Sequence, residues 1–240
     1  MNAQWFTGFA TLFLAFVALF KDTVLLWIKK PEIDIKFELR PPDCFKCQII
    51  HAIPKQIKDN VMGIDKIVFY MFYYRFRIIN NGKSPAKNIE VTIRDIRKKK
   101  GNSFDRIDFP LDDNLDWFSS SLISGKPSTM HYTFIFPNTF KHCELGHIID
   151  PSKRHLVSFE NKPKLSDEDE TIFSFNLMTR YHSLYHLIVP GTYRIKVLVA
   201  GENFKSLEKE YELEITGKWS EDEDKMLNEG LKLKEIFENK

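Results

Sequence analysis

The chain of 240 residues carries a formal net charge of +2 and three cysteines. The near-neutral charge excludes a protein-wide positive field of the kind that holds nucleic acid. Three cysteines do not make a disulfide framework, which agrees with a reducing compartment. Hydrophobic residues form 43% of the chain and include 21 phenylalanines, enough for a sizeable core. The length that follows the apolar N-terminus suits one large domain or two small ones.

The N-terminal stretch from Trp5 to Trp27 is almost wholly apolar, with two charged residues, Lys21 and Asp22. As a helix it would span about 33 Å, close to the thickness of a bilayer's hydrocarbon core. Trp5 and Trp27 stand where indole rings favour the membrane–water interface. We predict a transmembrane anchor whose membrane part ends either at Phe20 or at Trp27, with Lys21 reaching back to the headgroups. The alternatives are a buried core helix and a signal peptide.

Small and polar residues recur along this helix at spacings of three and four, and they therefore share one face. They are Gly8, Thr11, Ala15, Ala18 and Asp22. Small residues let membrane helices approach closely, and a polar group adds a hydrogen bond between them. The stripe predicts self-association or a partner helix, and the alternative is chance composition in a helix that faces lipid.

The flanks of the helix predict its orientation. Lys29, Lys30, Lys36 and Arg40 follow it, whereas no Lys or Arg precedes it. Because basic flanks stay cytoplasmic, the N-terminus is expected outside the cell and the large domain inside, at the cell membrane. Pro31 ends the helix, since proline cannot continue it. Lys29 and Lys30, with the two tryptophans, are the predicted interface residues.

Residues 31–218 contain several segments in which apolar and polar side chains alternate, the period of a half-buried strand. The segments are EIDIKFELR, IVFYMFYYRFRII, NIEVTIRDI, STMHYTFIF, TIFSFNLM, TYRIKVLV and EYELEITG. Asn80-Asn81-Gly82 follows the second of them with turn chemistry, which predicts a strand–turn–strand unit. Short alternating strands without intervening helices predict a mainly β protein, an antiparallel Ig-like β-sandwich that joins the N-terminal transmembrane helix of residues 1–30.

Residues 219–240 change to a helical pattern. Ser220 and Glu223 form a capping box, and acidic residues between them suit the start of a helix. We predict a C-terminal amphipathic helix that packs on the sandwich or on a partner. Its apolar face consists of Met226, Gly230, Leu233 and Phe237.

The segment YYRFRIINNGKSPAKNIEVTI resembles the strand–turn–strand signature of bacterial immunoglobulin-like modules related to adhesion domains. Other landmarks resemble an uncharacterised prokaryotic family with an N-terminal membrane helix: KKPEIDIKFEL, PPDC, NLDWF, HCELG, GTYRIKV and TGKW. CFKC carries two cysteines where that pattern has one, which weakens any role for Cys47. The resemblance implies the sandwich and supplies no chemistry.

Two groups of thiols and imidazoles could supply a zinc site, which needs about four such ligands. The candidates are Cys44, Cys47, His51, Cys143 and His147. Paired zinc knuckles are missing, and a C-x-x-C in a proline-led loop lacks the helix N-terminus that activates a redox thiol. We therefore interpret them as loop cysteines and surface histidines, predict no metal or cofactor, and keep the zinc site as the alternative.

A basic run at Lys98, Lys99 and Lys100 is a candidate contact for anionic lipid. Basic residues near a membrane surface contribute about 1 kcal/mol each. The alternative is a solvated hairpin tip.

No nucleophile elbow, phosphate loop or kinase signature occurs in the chain. We predict a non-enzymatic, single-pass membrane protein whose sandwich acts as a binding, scaffold or sensor module at the cytoplasmic membrane surface. Its expected partners are the lipid bilayer and a protein partner or a second copy reached through the N-terminal helix, with no nucleic acid. The alternatives are a metalloprotein or enzyme that uses the cysteines and histidines, and an extracytoplasmic adhesion-like module.

Overall fold

The protein is described by a computed structural model that covers residues 3–57, 61–117, 131–156, 169–179 and 184–237. Side chains are described within those ranges except at residues 3–7, 21–28, 53–57 and 61–63. Predictions that depend on the side chains of Trp5, Asp22 or Trp27 lie outside the described residues.

The described part of the chain forms two α-helices, a 3₁₀ helix and twelve strands. The helices are α1 (Ala3–Ile28), the 3₁₀ helix (Pro151–Leu156) and α2 (Glu223–Glu229). The first six strands are β1 (Ile33–Lys36), β2 (Cys44–Ile57), β3 (Val61–Asn80), β4 (Ala86–Lys100), β5 (Ser103–Arg106) and β6 (Tyr132–Ile135). The others are β7 (Thr139–Ile149), β8 (Phe173–Phe175), β9 (Leu187–Ile188), β10 (Gly191–Ala200), β11 (Leu207–Ile215) and β12 (Leu231–Ile236).

The strands make two antiparallel sheets. The first has the order β1-β3-β7-β8-β9, and β2 joins it by pairing with β3. The second has the order β12-β11-β10-β4-β5, and β6 joins it by pairing with β4. The prediction of a mainly β protein with a sandwich-like, two-sheet architecture is confirmed.

The core lies between the sheets because each central strand alternates apolar and polar side chains. Both sheets contribute to one buried cluster, and its largest rows were predicted from the alternation. From the first sheet come Phe72, Tyr74, Phe76 and Ile78; from the second come Ile89, Val91, Ile93, Tyr193, Ile195, Val197, Val199, Tyr211, Leu213 and Ile215.

The turn at Asn80-Asn81-Gly82 does not close a hairpin. Strand β3, which precedes it, pairs with β1, β2 and β7, whereas β4, which follows it, pairs with β5, β6 and β10. The predicted strand–turn–strand unit therefore exists, but its turn carries the chain from one sheet to the other.

The C-terminal region differs from its prediction. Helix α2 covers only Glu223–Glu229, and its N-cap is Asp222, whose Oδ1 accepts a hydrogen bond from the backbone N–H of Lys225 at 2.8 Å. Residues 231–236 then form β12, which pairs with β11. The predicted amphipathic helix over 219–240 is therefore wrong. Leu231 and Leu233 also fit an alternating strand, and pairing with β11 satisfies the backbone hydrogen bonds of residues 231–236.

Helix α1 is 26 residues long, as expected of the apolar N-terminus. Among the described residues no helix is long and apolar enough to cross a membrane, and the predicted transmembrane helix is therefore not confirmed.

Candidate functional site

The two cysteines of the C-x-x-C motif lie on opposite faces of β2. Cys44 is fully buried in the core and pairs with Tyr74, whereas Cys47 is half-buried and pairs with Met71. Residues three apart in a strand point to opposite sides of the sheet. The motif therefore cannot close on one metal ion, and the loop predicted for Cys44 is instead the start of a strand.

Cys143 and His147 also lie on opposite faces of their strand, because β7 contains a bulge between them. Arg75 pairs with Glu144 and its neighbour Tyr74 with Gly146, so that Leu145 is an extra residue. Cys143 is buried in the core, while Nδ1 of His147 lies 2.7 Å from Oδ1 of Asn176.

His51 lies half-buried on β2 opposite Ile67. Among the described residues no group of three His, Cys, Asp or Glu side chains could hold a metal ion. The structure thus does not bring the zinc candidates together.

Burial also keeps the cysteine thiols protonated. It raises the pKa of the Cys44, Cys143 and Cys47 thiols above the usual range, and the neighbouring carboxylates Asp43 and Glu144 raise them further. Because the thiolate is the nucleophile and the metal ligand, protonated thiols are poor at both tasks.

A network of charged side chains joins the connection between β1 and β2 to β3 and β7, and the sequence did not predict it. Asp43 is fully buried, and its carboxylate oxygens lie 2.9 and 3.0 Å from Nε of Arg77. Arg77 also donates to Glu38 at 2.6 Å, and Nε2 of His142 lies 3.4 Å from Asp43. Arg77 and His142 are far from Glu38 and Asp43 in sequence, and only the folded chain brings them together.

The neighbouring part of the network centres on Glu144. Nδ2 of Asn176 donates to Glu144 at 2.5 Å, and Arg75 donates to the backbone carbonyl of Pro42 and stacks over the ring of Phe45 at 4.3 Å. Burial raises the pKa of Glu144, although Asn176 and Arg75 favour its charged form. Each carboxylate has an arginine or amide neighbour, and the arrangement offers no obvious reaction.

Helix α1 presents apolar side chains to its surroundings on every face. All residues from 8 to 20 are exposed, and the eight large apolar ones have exposed fractions between 43% and 79%. They are Phe9, Leu12, Phe13, Leu14, Phe16, Val17, Leu19 and Phe20. The predicted stripe residues Gly8, Thr11, Ala15 and Ala18 lie among them and are exposed, and their role in association stays a prediction.

The linker of residues 29–32, which follows α1, is hydrogen-bonded to the sandwich. The N–H of Asn81 donates to the carbonyl of Glu32 at 2.7 Å, and the N–H of Lys83 donates to the carbonyl of Lys30 at 3.3 Å. A Cβ on Gly82 would overlap the linker backbone, which explains why glycine stands there. Lys29 and Lys30, the predicted interface residues, are both exposed.

Asn80 joins the linker to the sheets. Its buried side chain accepts from the N–H of Glu32 at 3.2 Å and from that of Gly82 at 3.0 Å. Its Nδ2 donates to the carbonyls of Ser84 at 2.8 Å and Ile135 at 2.9 Å. We call this set of contacts the Asn80 junction and the end of the sandwich around it the linker end.

Three phenylalanines are exposed at the linker end. Phe134, Phe136 and Phe140 have exposed fractions of 43%, 58% and 44%, and the rings of Phe134 and Phe136 stack with their centroids 6.3 Å apart. We call these three residues the aromatic patch. The alternation in STMHYTFIF predicted a strand here without deciding its buried face, and in the structure it is Ile135 that is buried.

Exposed charges at the linker end are mostly basic. The lysines there are Lys29, Lys30, Lys83, Lys87 and Lys205, and the exposed acidic residues are Glu32 and Glu202. Lys205 lies in the turn that follows β10, and this turn is hydrogen-bonded to the linker end. The N–H of Glu202, in the same turn, donates to the carbonyl of Lys87 at 3.1 Å.

Lys98, Lys99 and Lys100 lie at the opposite end of β4. Strand β4 begins at Ala86, beside the turn that binds the linker, and ends at Lys100. At about 3.3 Å per residue the two ends are about 46 Å apart. Lys100 pairs there with Asp105 at 3.4 Å. Their contact with lipid stays a prediction, and their position does not favour it.

Comparison of the chain with protein-family models, with curated proteins and with solved structures gave no match. The structure shows two antiparallel sheets, and the finer resemblance to immunoglobulin-like modules stays a prediction.

Proposed function

We propose that the protein is a membrane-attached β-sandwich that binds a protein partner and carries out no reaction of its own. The observation that carries the proposal is the exposure of apolar side chains on every face of α1 between residues 8 and 20. Burying a large apolar side chain contributes about 1.5–3 kcal/mol, so these eight supply on the order of 10 kcal/mol for attachment.

Lipid fits this helix better than a protein groove does. A helix that binds a groove carries its apolar residues in one stripe, whereas a helix that is apolar all round is suited to complete burial. No charged residue interrupts residues 8–20. Hydrocarbon chains surround a helix on all sides, and we therefore propose them as its environment.

The short linker holds the sandwich close to the membrane. Helix α1 ends at Ile28, and the carbonyl of Lys30 already accepts a hydrogen bond from the sandwich. Two residues leave little length for independent movement. The linker end therefore faces the bilayer, and exposed Lys29 and Lys30 meet its headgroups.

The strand arrangement supports an immunoglobulin-like fold. In such domains strands A, B and E share one sheet and C, F and G the other. Here β1, β3 and β7 are neighbours in the first sheet, and β4, β10 and β11 are neighbours in the second. Tyr193, near the start of β10, donates its hydroxyl to the carbonyl of Val189 at 2.8 Å, as the tyrosine corner of strand F does.

A protruding hairpin is the best surface for a partner. In β2 and β3, residues 48–57 and 61–70 pair with each other and, among the described residues, with no other strand. Ile50, Ile64 and Val68 are exposed on this hairpin. It points away from the linker end, because β3 runs about 60 Å from Val61 to Asn80. Exposed apolar side chains of this kind mark interaction sites.

Fractionation of cells that make the full chain tests the attachment. The wild type is expected to stay with membranes during an alkaline carbonate wash, and Leu12→Lys/Leu14→Lys is expected to be released. The matched control is Ile50→Lys/Ile64→Lys, which places the same charges on the hairpin and should stay bound. Release of the wild type would contradict attachment.

The same hairpin variant tests partner binding. Proteins captured from detergent-solubilised membranes with the wild type should be lost with Ile50→Lys/Ile64→Lys and retained with Lys99→Glu, a charge change in the hairpin of β4 and β5. Equal capture by all three chains would contradict a binding role for the arm of β2 and β3.

The side of the membrane is part of the proposal and rests on the basic flank of α1. Cys44 cannot report it because its thiol is buried. Asn102→Cys places a thiol in the exposed turn between β4 and β5. Labelling by an impermeant maleimide only after lysis would support a cytoplasmic sandwich, and labelling of intact cells would support the extracytoplasmic alternative.

A further inference from the structure

The aromatic patch is an apolar surface that the fold leaves uncovered. Phe134 in β6 and Phe136, which directly follows β6, are exposed on either side of buried Ile135, and Phe140 lies at the start of β7, the next strand along the chain. A side chain that packed inside would be far less exposed than these three. Phe134 and Phe136 stack on each other, and stacked exposed rings of this kind mark surfaces that contact a membrane or another protein.

The patch lies beside the linker that leads to α1. One side chain, Asn80, binds both the N–H of Glu32 in the linker and the carbonyl of Ile135 between the two exposed phenylalanines. The N–H of Asn138, in the turn between Phe136 and Phe140, donates to the carbonyl of Asn80 at 2.7 Å. The patch and the linker that follows α1 are therefore connected by hydrogen bonds through Asn80.

The charges around the patch favour lipid over a second protein of average composition. Exposed lysines outnumber exposed acidic residues at the linker end, and Nζ of Lys141 lies 5.3 Å from the ring centroid of Tyr132 beside Phe134. A surface that combines phenylalanine with lysine suits the interface of a bilayer, where rings enter the acyl boundary and ammonium groups meet phosphates.

We propose that Phe134, Phe136 and Phe140 form a second membrane contact, which inserts into the interface of an anionic bilayer and fixes the orientation of the sandwich. The proposal rests on the attachment of α1 proposed above. Because the Asn80 junction connects the two contacts, the sandwich stands on the membrane in one orientation, with the hairpin of β2 and β3 directed away.

A fluorescent probe at the patch tests this in the full chain. Cys47→Ser removes the accessible native thiol, and Phe136→Cys then carries an NBD group, while buried Cys44 and Cys143 stay unlabelled. The protein is reconstituted into vesicles of phosphatidylglycerol and phosphatidylcholine brominated near the headgroup. We expect the NBD emission to shift to the blue when vesicles are added. In brominated vesicles it should be about twofold or more weaker than in the same vesicles without bromine, as for a group at the acyl boundary.

Two controls make the result specific. The same probe at Asn102→Cys, in the turn at the far end of β4, should show neither change. With Phe134→Ser and Phe140→Ser added to the Phe136→Cys chain, the quenching should weaken, although these exposed positions leave the fold intact.

The outcomes separate this inference from the proposed function. Co-flotation with vesicles without quenching at position 136 would overturn the second contact and leave the attachment of α1 standing. Failure to float would overturn the attachment itself. A blue shift at position 136 that depends on protein concentration and needs no vesicles would assign the patch to a second copy and overturn the lipid contact.

Discussion

The side chain of Asn80 accepts a hydrogen bond from the backbone N–H of Glu32 at 3.2 Å and thereby ties the linker after α1 to the central strand β3. The same side chain forms hydrogen bonds with Gly82 and Ser84 in the turn after β3 and with Ile135 in β6. One buried amide therefore connects three parts of the chain. A domain that is attached to a membrane by a helix gains a fixed orientation from such a connection.

Replacement of Asn80 by alanine is expected to lower the free energy of unfolding by about 2–4 kcal/mol, because it leaves the partly buried N–H of Glu32 and the buried carbonyl of Ile135 without their partner. Asn81→Ala is the matched control, since the Asn81 side chain is exposed. Urea unfolding of the full chain in detergent, followed by circular dichroism, measures both. Equal stability of the two variants would show that the junction is not a structural connection.

Replacement of Tyr193 by phenylalanine tests the tyrosine corner. It removes only the hydroxyl that donates to Val189, and we expect a loss of about 1 kcal/mol, the usual net contribution of one hydrogen bond. Tyr185→Phe changes an exposed tyrosine and should leave the urea midpoint unchanged. A Tyr193→Phe protein as stable as the wild type would argue against this feature of an immunoglobulin-like fold.

Glu144 is expected to make stability fall as pH rises. Burial raises its pKa, so the folded protein holds this proton more tightly than the unfolded chain, whose carboxyl has a pKa of about 4.5. The free energy of unfolding should therefore decrease as pH rises from about 4.5 through the raised folded value.

Glu144→Gln keeps an acceptor for Asn176 and cannot ionise, so its stability advantage over the wild type should grow across that pH range. Urea midpoints between acid and neutral pH measure this, and Glu221→Gln, at an exposed position, is the control. An advantage that shrinks as pH rises would contradict the direction of the shift.

The cysteines are expected to react unequally. Cys47 should react with a thiol reagent in the native protein, and slowly, since burial raises its pKa; Cys44 and Cys143 should react only after unfolding. Metal analysis of the purified chain should find no stoichiometric zinc. Zinc that is retained through dialysis and lost in a Cys44→Ser chain would restore the metal-site alternative.

Much of the sheet structure could be predicted because alternation is local. The apolar rows of β3 and β10 have period two, and one buried face is enough to produce that pattern. The C-terminal region was ambiguous because residues 231–236 fit both the period of a helix and the period of two of a strand. The pairing with β11 that decides between them is not visible in the sequence.

The sites could not be predicted because their members meet only through strand pairing. Asp43 and Arg77 are separated by 34 positions, and Asn80 was visible only as a turn residue. The zinc alternative grouped residues that are neighbours in sequence, but the strands separate them: Cys44 and Cys47 are close in sequence, yet the pleat of β2 directs them to opposite faces.

Energy transfer from the sandwich to labelled lipid measures which end of the sandwich faces the membrane. In a Cys47→Ser background, a donor dye is placed either at Asn138→Cys, at the linker end, or at Asn102→Cys, at the far end of β4, and acceptor lipids are included in the vesicles. A membrane-attached sandwich whose linker end faces the bilayer predicts strong transfer from position 138 and much weaker transfer from position 102. Equal transfer from both positions, or none from either, would contradict the account.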